Sequence, residues 1–536
     1  MPRVRRRMLV TLDAPPAAVR AAVLTTLRST SAADGAVRLA AAHLPEGHVD
    51  VLMEPDTQGP GTRVHLLGES AVAIPFFGWA MRPLLRIQLR RAVRHAAESV
   101  RAAGEGAPPP PHPSPVLGLP PVVFDSRQAT ILATASAATA IAMFGGALYG
   151  QFAGFIADSF HANDASLGLA LAFTRLGVLV SLLATALSDR MGRRRLVIVG
   201  VAGVCLTNAL AAAAPTFATF TALQVLNRGF VNSTAIVAAI AAIEEAPEGA
   251  RAFAASMLGL AGGFGYSFAV IALPLGDASR ESWRIAFVLS GASCLLLPRI
   301  SRHLVEGERF KALVRSGVDR GRVREIFASA YRRRFLLLGA VAFLSNIFNS
   351  PSAQLTNRFL TDARGFSGLD ITVFRSVTSG LPGVLGILLA GRLAESRGRR
   401  PVAALAMLVA TATQMAFFLG RGPVAWVAAT VSVVAAASTG LALATLGTEL
   451  FPTEVRGTSN ALLLVVGVTG SAVGLVGAGL LSDPVGGLGR AIALCGIGSI
   501  LAAILVVPRL PESRSRRLDE LSPSEIAVAR GTPLQM

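Results

Sequence analysis

Charge is scarce in this chain. Asp, Glu, Lys and Arg make up 15% of the 536 residues while 52% are hydrophobic, and the mean hydropathy is +0.56. A soluble protein carries about a quarter charged residues, so most of this chain belongs in a membrane. Cysteine is almost missing: Cys205, Cys294 and Cys495 all lie in apolar segments without disulfide or metal-ligand spacing, and read as small core residues. His43, His48, His65 and His95 also lack metal-ligand spacing. No Gly-x-x-x-x-Gly-Lys-Ser/Thr loop occurs, which excludes nucleotide hydrolysis by that route. Neither an enzyme nor a cofactor is indicated. The basic residues Arg3, Arg5, Arg6 and Arg7 precede no apolar run with a cleavage site, so no cleaved signal peptide is expected. Acids are missing from the middle of every apolar segment. That gives no support for proton coupling, although Asp158 at a segment end keeps the route open.

Twelve apolar segments are long enough to span, since about 20 residues at 1.5 Å rise cross roughly 30 Å of hydrocarbon. They run about 130–156, 166–187, 195–214, 218–243, 253–275, 284–303, 335–358, 370–391, 401–420, 423–447, 459–481 and 489–508. The formal charge of +18 is carried by arginine runs between these segments and after the last, at 190–195, 299–334, 397–400 and 514–517. Loops after even-numbered spans are arginine-rich and those after odd-numbered spans are poor in positive charge. The excess therefore reports orientation in a bilayer, not nucleic-acid binding, and both termini are expected in the cytoplasm of a multi-pass cell-membrane protein. The division expected is an α+β domain at 1–104, a Pro/Gly-rich linker at 105–127, six-helix bundles at 128–303 and 335–508 joined by a loop at 304–334, and a tail at 509–536.

One signature occurs twice, about 206 residues apart: Ser188-Asp189-Arg190-Met191-Gly192-Arg193-Arg194 and Ala394-Glu395-Ser396-Arg397-Gly398-Arg399-Arg400. A second pair keeps nearly the same offset. Glu244 to Arg251 and Glu449 to Arg456 share Glu-x-x-Pro-x-x-x-Arg. Two motifs repeated in one order at one spacing mean a duplicated membrane unit.

Over roughly 380 positions these residues resemble the major facilitator superfamily. Asp189, Arg190, Gly192, Arg193 and Arg194 match its signature between helices 2 and 3, with Thr185 where the leading glycine is usual. Gly391, Gly398, Arg399 and Arg400 match in the second half, with Glu395 for aspartate. The run Pro452 to Thr458, together with Pro511-Glu512-Ser513 and Ser282-Trp283-Arg284, resembles the sugar-porter and organic-ion-transporter branch. The resemblance implies an all-α polytopic fold of two pseudo-symmetric six-helix halves and alternating access of a small-molecule substrate. It further implies an inner gate in which acids at helix ends meet arginines of the other half, with Glu244, Arg251, Glu449 and Arg456 as further members. The glycines let neighbouring helices approach at a sharp turn.

Polar residues inside the spans are few enough to count as candidates. Arg175 and Arg228 lie near half depth, where an arginine costs about 2.5–3.5 kcal/mol and must face a cavity or a partner. Span 4 places Gln224, Asn227, Arg228 and Asn232 on one face; span 7 does the same with Asn346, Asn349, Ser350, Gln354 and Asn357, interrupted by Pro351. Helices 4 and 7 line the path in the resembled superfamily, which makes these faces the candidate substrate site. The competing reading is that the amides hold helices together. Two arginines without a matching acid suggest an organic anion or carboxylate-bearing metabolite. Arg358 and Arg375, beside Asp362 and Asp370, are expected to pair or snorkel near the outer surface.

Before residue 104 the pattern changes. Met8–Leu12, Val37–Leu39, His48–Leu52 and Arg63–Leu67 read as strands, residues 14–27 as a helix, and Arg82–Ala103 as a long helix. That helix carries Leu85, Leu89, Val93, Ala96 and Val100 on one stripe and Arg86, Arg90, Arg94 and Arg101 on another. The order of elements and the Ile74-Pro75-Phe76-Phe77-Gly78-Trp79 run resemble the helix-grip fold of the SRPBCC (START-like) superfamily, which implies a hydrophobic ligand beneath the last helix. The basic stripe reads as a solvated face of a helix packed on its own sheet, with anionic lipid as the other reading. A membrane-anchored ligand sensor is the alternative to a transporter, and the doubled signature argues against it, since an anchor needs no gate.

Overall fold

A computed structural model of the protein describes residues 3–26, 29–31, 37–40, 48–56, 61–71, 75–111, 122, 124–179, 181, 192–247, 250–304, 329–380, 382–383, 385–386, 397–449 and 453–510. The first unit is α+β: β1 (Arg3–Leu12), α1 (Pro16–Thr26), β2 (Ser29–Ser31), β3 (Val37–Ala40), β4 (His48–Pro55), β5 (Thr62–Ala71) and α2 (Gly78–Gly104). The strands form one antiparallel sheet in the order β1-β5-β4-β3-β2, with Met8 opposite Leu66 and Val37 opposite Val51. Side chains alternate along a strand, so Val49, Val51, Val64 and Leu66 all point to one face and are buried. Leu85, Leu89, Val93, Ala96 and Val100 of α2 cover that face. The two layers touch: a Cβ on Gly68 would stand 2.4 Å from Val93 Cγ2, which leaves no space for a ligand there.

Helices fill the rest. The first half holds α3 (Ser126–Gln151), α4 (Ala153–Ser159), α5 (Asp164–Phe173), α6 (Arg193–Ala212), α7 (Phe217–Glu245), α8 (Arg251–Ile271), α9 (Trp283–Ala292) and α10 (Leu297–His303). The second holds α11 (Ser329–Gln354), α12 (Thr356–Arg364), α13 (Gly368–Arg375), α14 (Arg399–Leu419), α15 (Pro423–Glu449), α16 (Thr453–Leu481) and α17 (Leu488–Leu501). Among the described residues nine helical stretches are long and apolar enough to cross a membrane, and they fall on predicted spans 1, 3–7, 9, 11 and 12. Spans 2 and 8 begin as α5 and α13 and run on into residues outside the described set. Span 10 is α15, apolar over Pro423–Thr439. Several spans are broken rather than continuous. Span 6 divides into α9 and α10 around a 3-10 turn at Ser293–Leu296, next to Pro298, whose ring nitrogen cannot donate and which suits a helix start.

Gly192 and Gly398 show the duplication in the backbone itself. Each sits just before a helix, with φ 89° and ψ 147° at Gly192 and φ 96° and ψ 152° at Gly398. Residues with a Cβ avoid this region at a cost of about 1–3 kcal/mol. Gly192→Ala and Gly398→Ala are therefore each expected to lower stability by about that amount, read as a lower thermal midpoint in detergent.

Packing differs between the two ends of the bundle. On the terminal face, where the linker enters α3 and the last span leaves, each half has its own apolar cluster. One runs from Phe124 to Leu304 and the other from Phe335 to Leu510. On the far face a single cluster crosses both halves and includes Phe152, Trp283, Phe287, Phe359, Phe374 and Leu475. Among the described residues the halves thus share an apolar cluster at the far face and none at the terminal face.

Candidate functional site

A cavity of about 840 Å³ fills the space between the halves. Arg175, Val178, Arg228 and Asn232 line it from the first half, and Ser345, Asn346, Asn460 and Ser471 from the second. No acidic side chain lines it among the described residues. Arg175 forms part of its deep end and crosses the gap: its terminal nitrogen donates to Ser350 Oγ at 2.7 Å, while its Nε is buried without a hydrogen-bond partner among the described residues. Arg228 has neither an ion pair nor a hydrogen bond there. Asn346 donates to Ala342 O at 2.8 Å and accepts from Ser471 Oγ at 3.4 Å, which fixes it on the wall.

The other candidates go elsewhere. Gln224 donates to Asn208 Oδ1 at 3.3 Å, and Asn227 to Thr207 Oγ1 at 2.9 Å and Val204 O at 3.2 Å; all of these partners belong to α6. These two amides hold α7 against α6, as the competing reading had it. Arg228 follows Asn227 by one residue, about 100° around the helix, and with Asn232 it lines the cavity instead of meeting α6. Asn349 is exposed into a second cavity of about 180 Å³ within the second half, with Arg375, Thr378 and Gln414. Gln354 packs against Gly150 across the halves. Asn357 donates to Gln151 O and Gln151 Oε1, both at 2.9 Å, and accepts from Arg375 at 2.9 and 3.0 Å. Arg375 therefore binds an amide and not Asp370. Asp370 closes a capping box with Ser367 at the start of α13.

The contacts that join the halves lie at the far face. Arg358 of α12 meets Asp158 at 2.5 Å, Asp164 at 3.5 Å and Asp362 at 2.6 Å. Asp164 also accepts from Ser482 Oγ at 2.8 Å, and Asp277 caps α13 by accepting from Gly368 N at 2.8 Å. Gly168 and Gly479 allow the backbones to meet: a Cβ on Gly168 would stand 2.5 Å from Leu475 O. Asp158, Asp164, Asp277 and Gln151 carried no signal in the sequence beyond lying near the ends of apolar segments. Their partners stand 90 or more residues away.

One carboxyl of this cluster is poised to titrate. Burial pushes half-buried Asp362 up to about 6; Arg358 opposes the shift, while Asp158 and Asp164 add to it. Arg280 and His161 stand beside Asp158, Arg280 on its backbone oxygen. An acid whose pKa is raised in the joined state binds a proton there that it would release on opening. Joining of the far face is therefore expected to strengthen as pH falls from about 7 to about 5. Spin labels at Ala278→Cys and Asp483→Cys report it: the short inter-half distance gains population over that range, and Asp362→Asn removes the dependence.

On the terminal face three signature arginines, Arg193, Arg194 and Arg400, have contacts inside their own halves. Arg193 is buried and pairs with Glu244 at 3.1 Å, and Arg194 donates to Ser301 O and Leu304 O at 2.9 and 2.8 Å. Arg400 donates to Pro508 O and Leu510 O at 3.3 and 3.4 Å. Glu244 thus takes Arg193 rather than Arg251, which is exposed at the start of α8. Asp189, Arg190 and Glu395, and the side chains of Arg399, Glu449 and Arg456, lie outside the described residues.

The family model described as Major Facilitator Superfamily matches residues 135–475, a stretch that includes both signatures. The chain belongs to the Major Facilitator Superfamily. It is a multi-pass membrane transporter of a small organic solute working by alternating access, and not an enzyme. A probable 4-methylmuconolactone transporter of Cupriavidus pinatubonensis is 26% identical over 349 residues, covering 63% of this chain and 80% of that protein. Among solved structures, an inward open conformation of the xylose transporter XylE from E. coli aligns with a TM-score of 0.60 at 15% identity, covering 74% of this chain and 99% of that one. A bacterial homologue of the human lysosomal transporter Spinster, inward-facing and unoccupied, aligns at 0.54 with 17% identity, covering 72% and 95%. Both likenesses concern the fold.

Proposed function

We propose that this transporter carries a small organic anion, held between Arg175 and Arg228 in the cavity between the halves. The observation that carries the reading is a cationic pocket without a counter-charge: two half-depth arginines, no acid in the described lining, and a buried Arg175 Nε left without a partner. Such a group costs free energy unless something supplies an acceptor, and a carboxylate or similar oxyanion fits the fork of a guanidinium. The Cupriavidus relative is a probable transporter of 4-methylmuconolactone, a small oxygen-rich organic solute. Asn232, Asn346, Ser345 and Ser471 would bind the neutral part of the solute.

The arginine-rich loops favour an orientation in the cell membrane with the terminal face, and with it both termini, on the cytoplasmic side. On that orientation the halves are parted inward, and the Arg358 cluster closes the outer side. The Asp189 and Glu395 signatures then form the inner gate, meeting across the halves when the inner side closes. Motifs at Pro452–Thr458 and Pro511–Ser513 favour the sugar-porter and organic-ion branch. The antiparallel sheet order and long last helix favour a helix-grip-like origin for residues 1–104. The sensor alternative is weaker, because it leaves the inter-half cavity unused; deleting residues 1–110 should preserve flux. A thermal-shift screen of the purified protein tests the substrate class. Carboxylates should raise the melting midpoint and their amides should not; stabilisation by neutral solutes alone would overturn the reading.

A further inference from the structure

We propose that the outward face of α2 is a docking surface for the anionic phospholipid headgroups of the bilayer in which the chain itself sits. The helix has two sides of different use. Its apolar stripe is spent on the sheet, so the basic stripe cannot be the packed one. Arg82, Arg86, Arg90 and Arg94 recur every four residues and are exposed, as is Arg91. None of the five has an ion pair or hydrogen bond among the described residues; the ion pair on this helix, Arg101 with Glu105, lies at its far end. Apolar side chains share this face: Trp79 is 68% exposed and Ile87 is 42% exposed. A basic helix face with an indole at its edge is the composition that lies in a headgroup layer, where arginines meet phosphates and the ring sits at the interface.

The position of the helix supplies the second argument. Phe76, two residues before α2, takes a left-handed backbone (φ 65°) and packs on the last turn of span 6. Its ring centroid lies 5.2 Å from the Arg299 guanidinium and 6.5 Å from the His303 ring. The start of α2 is therefore pinned to the terminal end of a membrane helix. From there its 27 residues extend about 40 Å, at 1.5 Å per residue. A charged stripe that starts at the bilayer edge is within reach of the headgroups, and screening limits that reach to about 8 Å at physiological salt.

Trp79 is the natural reporter: Trp283 is buried, and Trp426, 37% exposed, is present in both wild type and Trp79→Phe and cancels in their difference. Full-length protein is placed in nanodiscs of phosphatidylcholine with or without phosphatidylglycerol, the latter brominated, and the Trp79 signal is taken as wild type minus Trp79→Phe. Expected is quenching of that signal by about half or more in anionic discs, reversed by roughly 0.5 M salt. The combined variant Arg82→Gln, Arg86→Gln, Arg90→Gln and Arg94→Gln should lose the quenching while keeping the wild-type melting curve. An unquenched Trp79 in anionic discs at low salt would overturn the proposal. So would equal quenching by brominated phosphatidylcholine in discs without phosphatidylglycerol, since that is apolar insertion without headgroup recognition. Trp79 responding instead to added oligonucleotide, with no lipid effect, would give the surface to another partner and also overturn it.

Discussion

Arg228→Gln will cut uptake of the organic anion by roughly 10- to 150-fold in proteoliposomes, because a hydrogen bond to a charged group contributes about 1.5–3 kcal/mol. Glutamine is shorter by two heavy atoms, so the cavity widens slightly, keeps a polar wall there and loses one of its two positive charges. Arg175→Gln should cost less in binding. Part of that guanidinium is already satisfied by Ser350, so only its remaining donors are free for a solute. The Arg175 change should also loosen the inter-half contact and so alter turnover as well as affinity. Arg228→Lys separates charge from shape: it restores the charge but not the two-pronged geometry, and partial recovery is expected. Neutral analogues entering through the same cavity should be indifferent to both Arg228 substitutions. Uptake of the anion that ignores Arg228→Gln would remove the substrate class proposed here.

Arg358→Ala will open the far face. Arg358 is 13% exposed and satisfies Asp158 and Asp164 of the first half together with Asp362 of its own helix. Removing it leaves three carboxylates facing one another without the guanidinium they share. The acids are partly solvated, with Asp158 at 52% and Asp362 at 41% exposure, so the effect falls well short of that for a fully buried pair. A loss of about 1–2 kcal/mol moves the joined-to-open ratio by roughly 5- to 30-fold. A cysteine introduced at Ser345, on the cavity wall, reads the change. In right-side-out vesicles a membrane-impermeant thiol reagent should label it slowly in the parent protein and many-fold faster with Arg358→Ala. Gly168→Leu should act in the same direction by keeping α5 away from Leu475 of α16. Unchanged labelling in both variants would mean that the far face is held by other contacts.

These effects also show where sequence reasoning reaches and where it stops. The helical halves were legible because hydrophobic length and arginine placement are local properties that the bilayer imposes on every span. The duplication was legible because Gly192 and Gly398 must adopt the same left-handed backbone, which only glycine takes readily. Arg228 could be singled out because an arginine at mid-depth needs a reason. The polar face of span 4 could not be divided by periodicity alone. All four lie within less than half the circumference of the helix, and only the position of α6 shows which pair is satisfied by a neighbour. The joining contacts were invisible for a related reason: Asp158 with Arg358, Gln151 with Asn357 and Arg175 with Ser350 are each about 175 to 206 residues apart. Nothing local marks such pairs, because each is made by docking two bundles. Asp370 shows a further limit. Charge complementarity suggested Arg375, yet a capping box three residues away satisfies the carboxylate with less chain ordering.

Rocking of the two halves about an anion held by Arg228 can be measured as a distance across the terminal face. Arg302 ends the first half and Arg333 begins the second; both are exposed, so each can carry a spin label as Arg302→Cys and Arg333→Cys once Cys205, Cys294 and Cys495 have been replaced. Pulsed dipolar spectroscopy on the protein in nanodiscs should show a long distance at rest and a shorter one when the transported carboxylate is added. The same carboxylate should leave the distance unchanged in Arg228→Gln. A distance that no transported solute alters, or that shortens equally without Arg228, would contradict it.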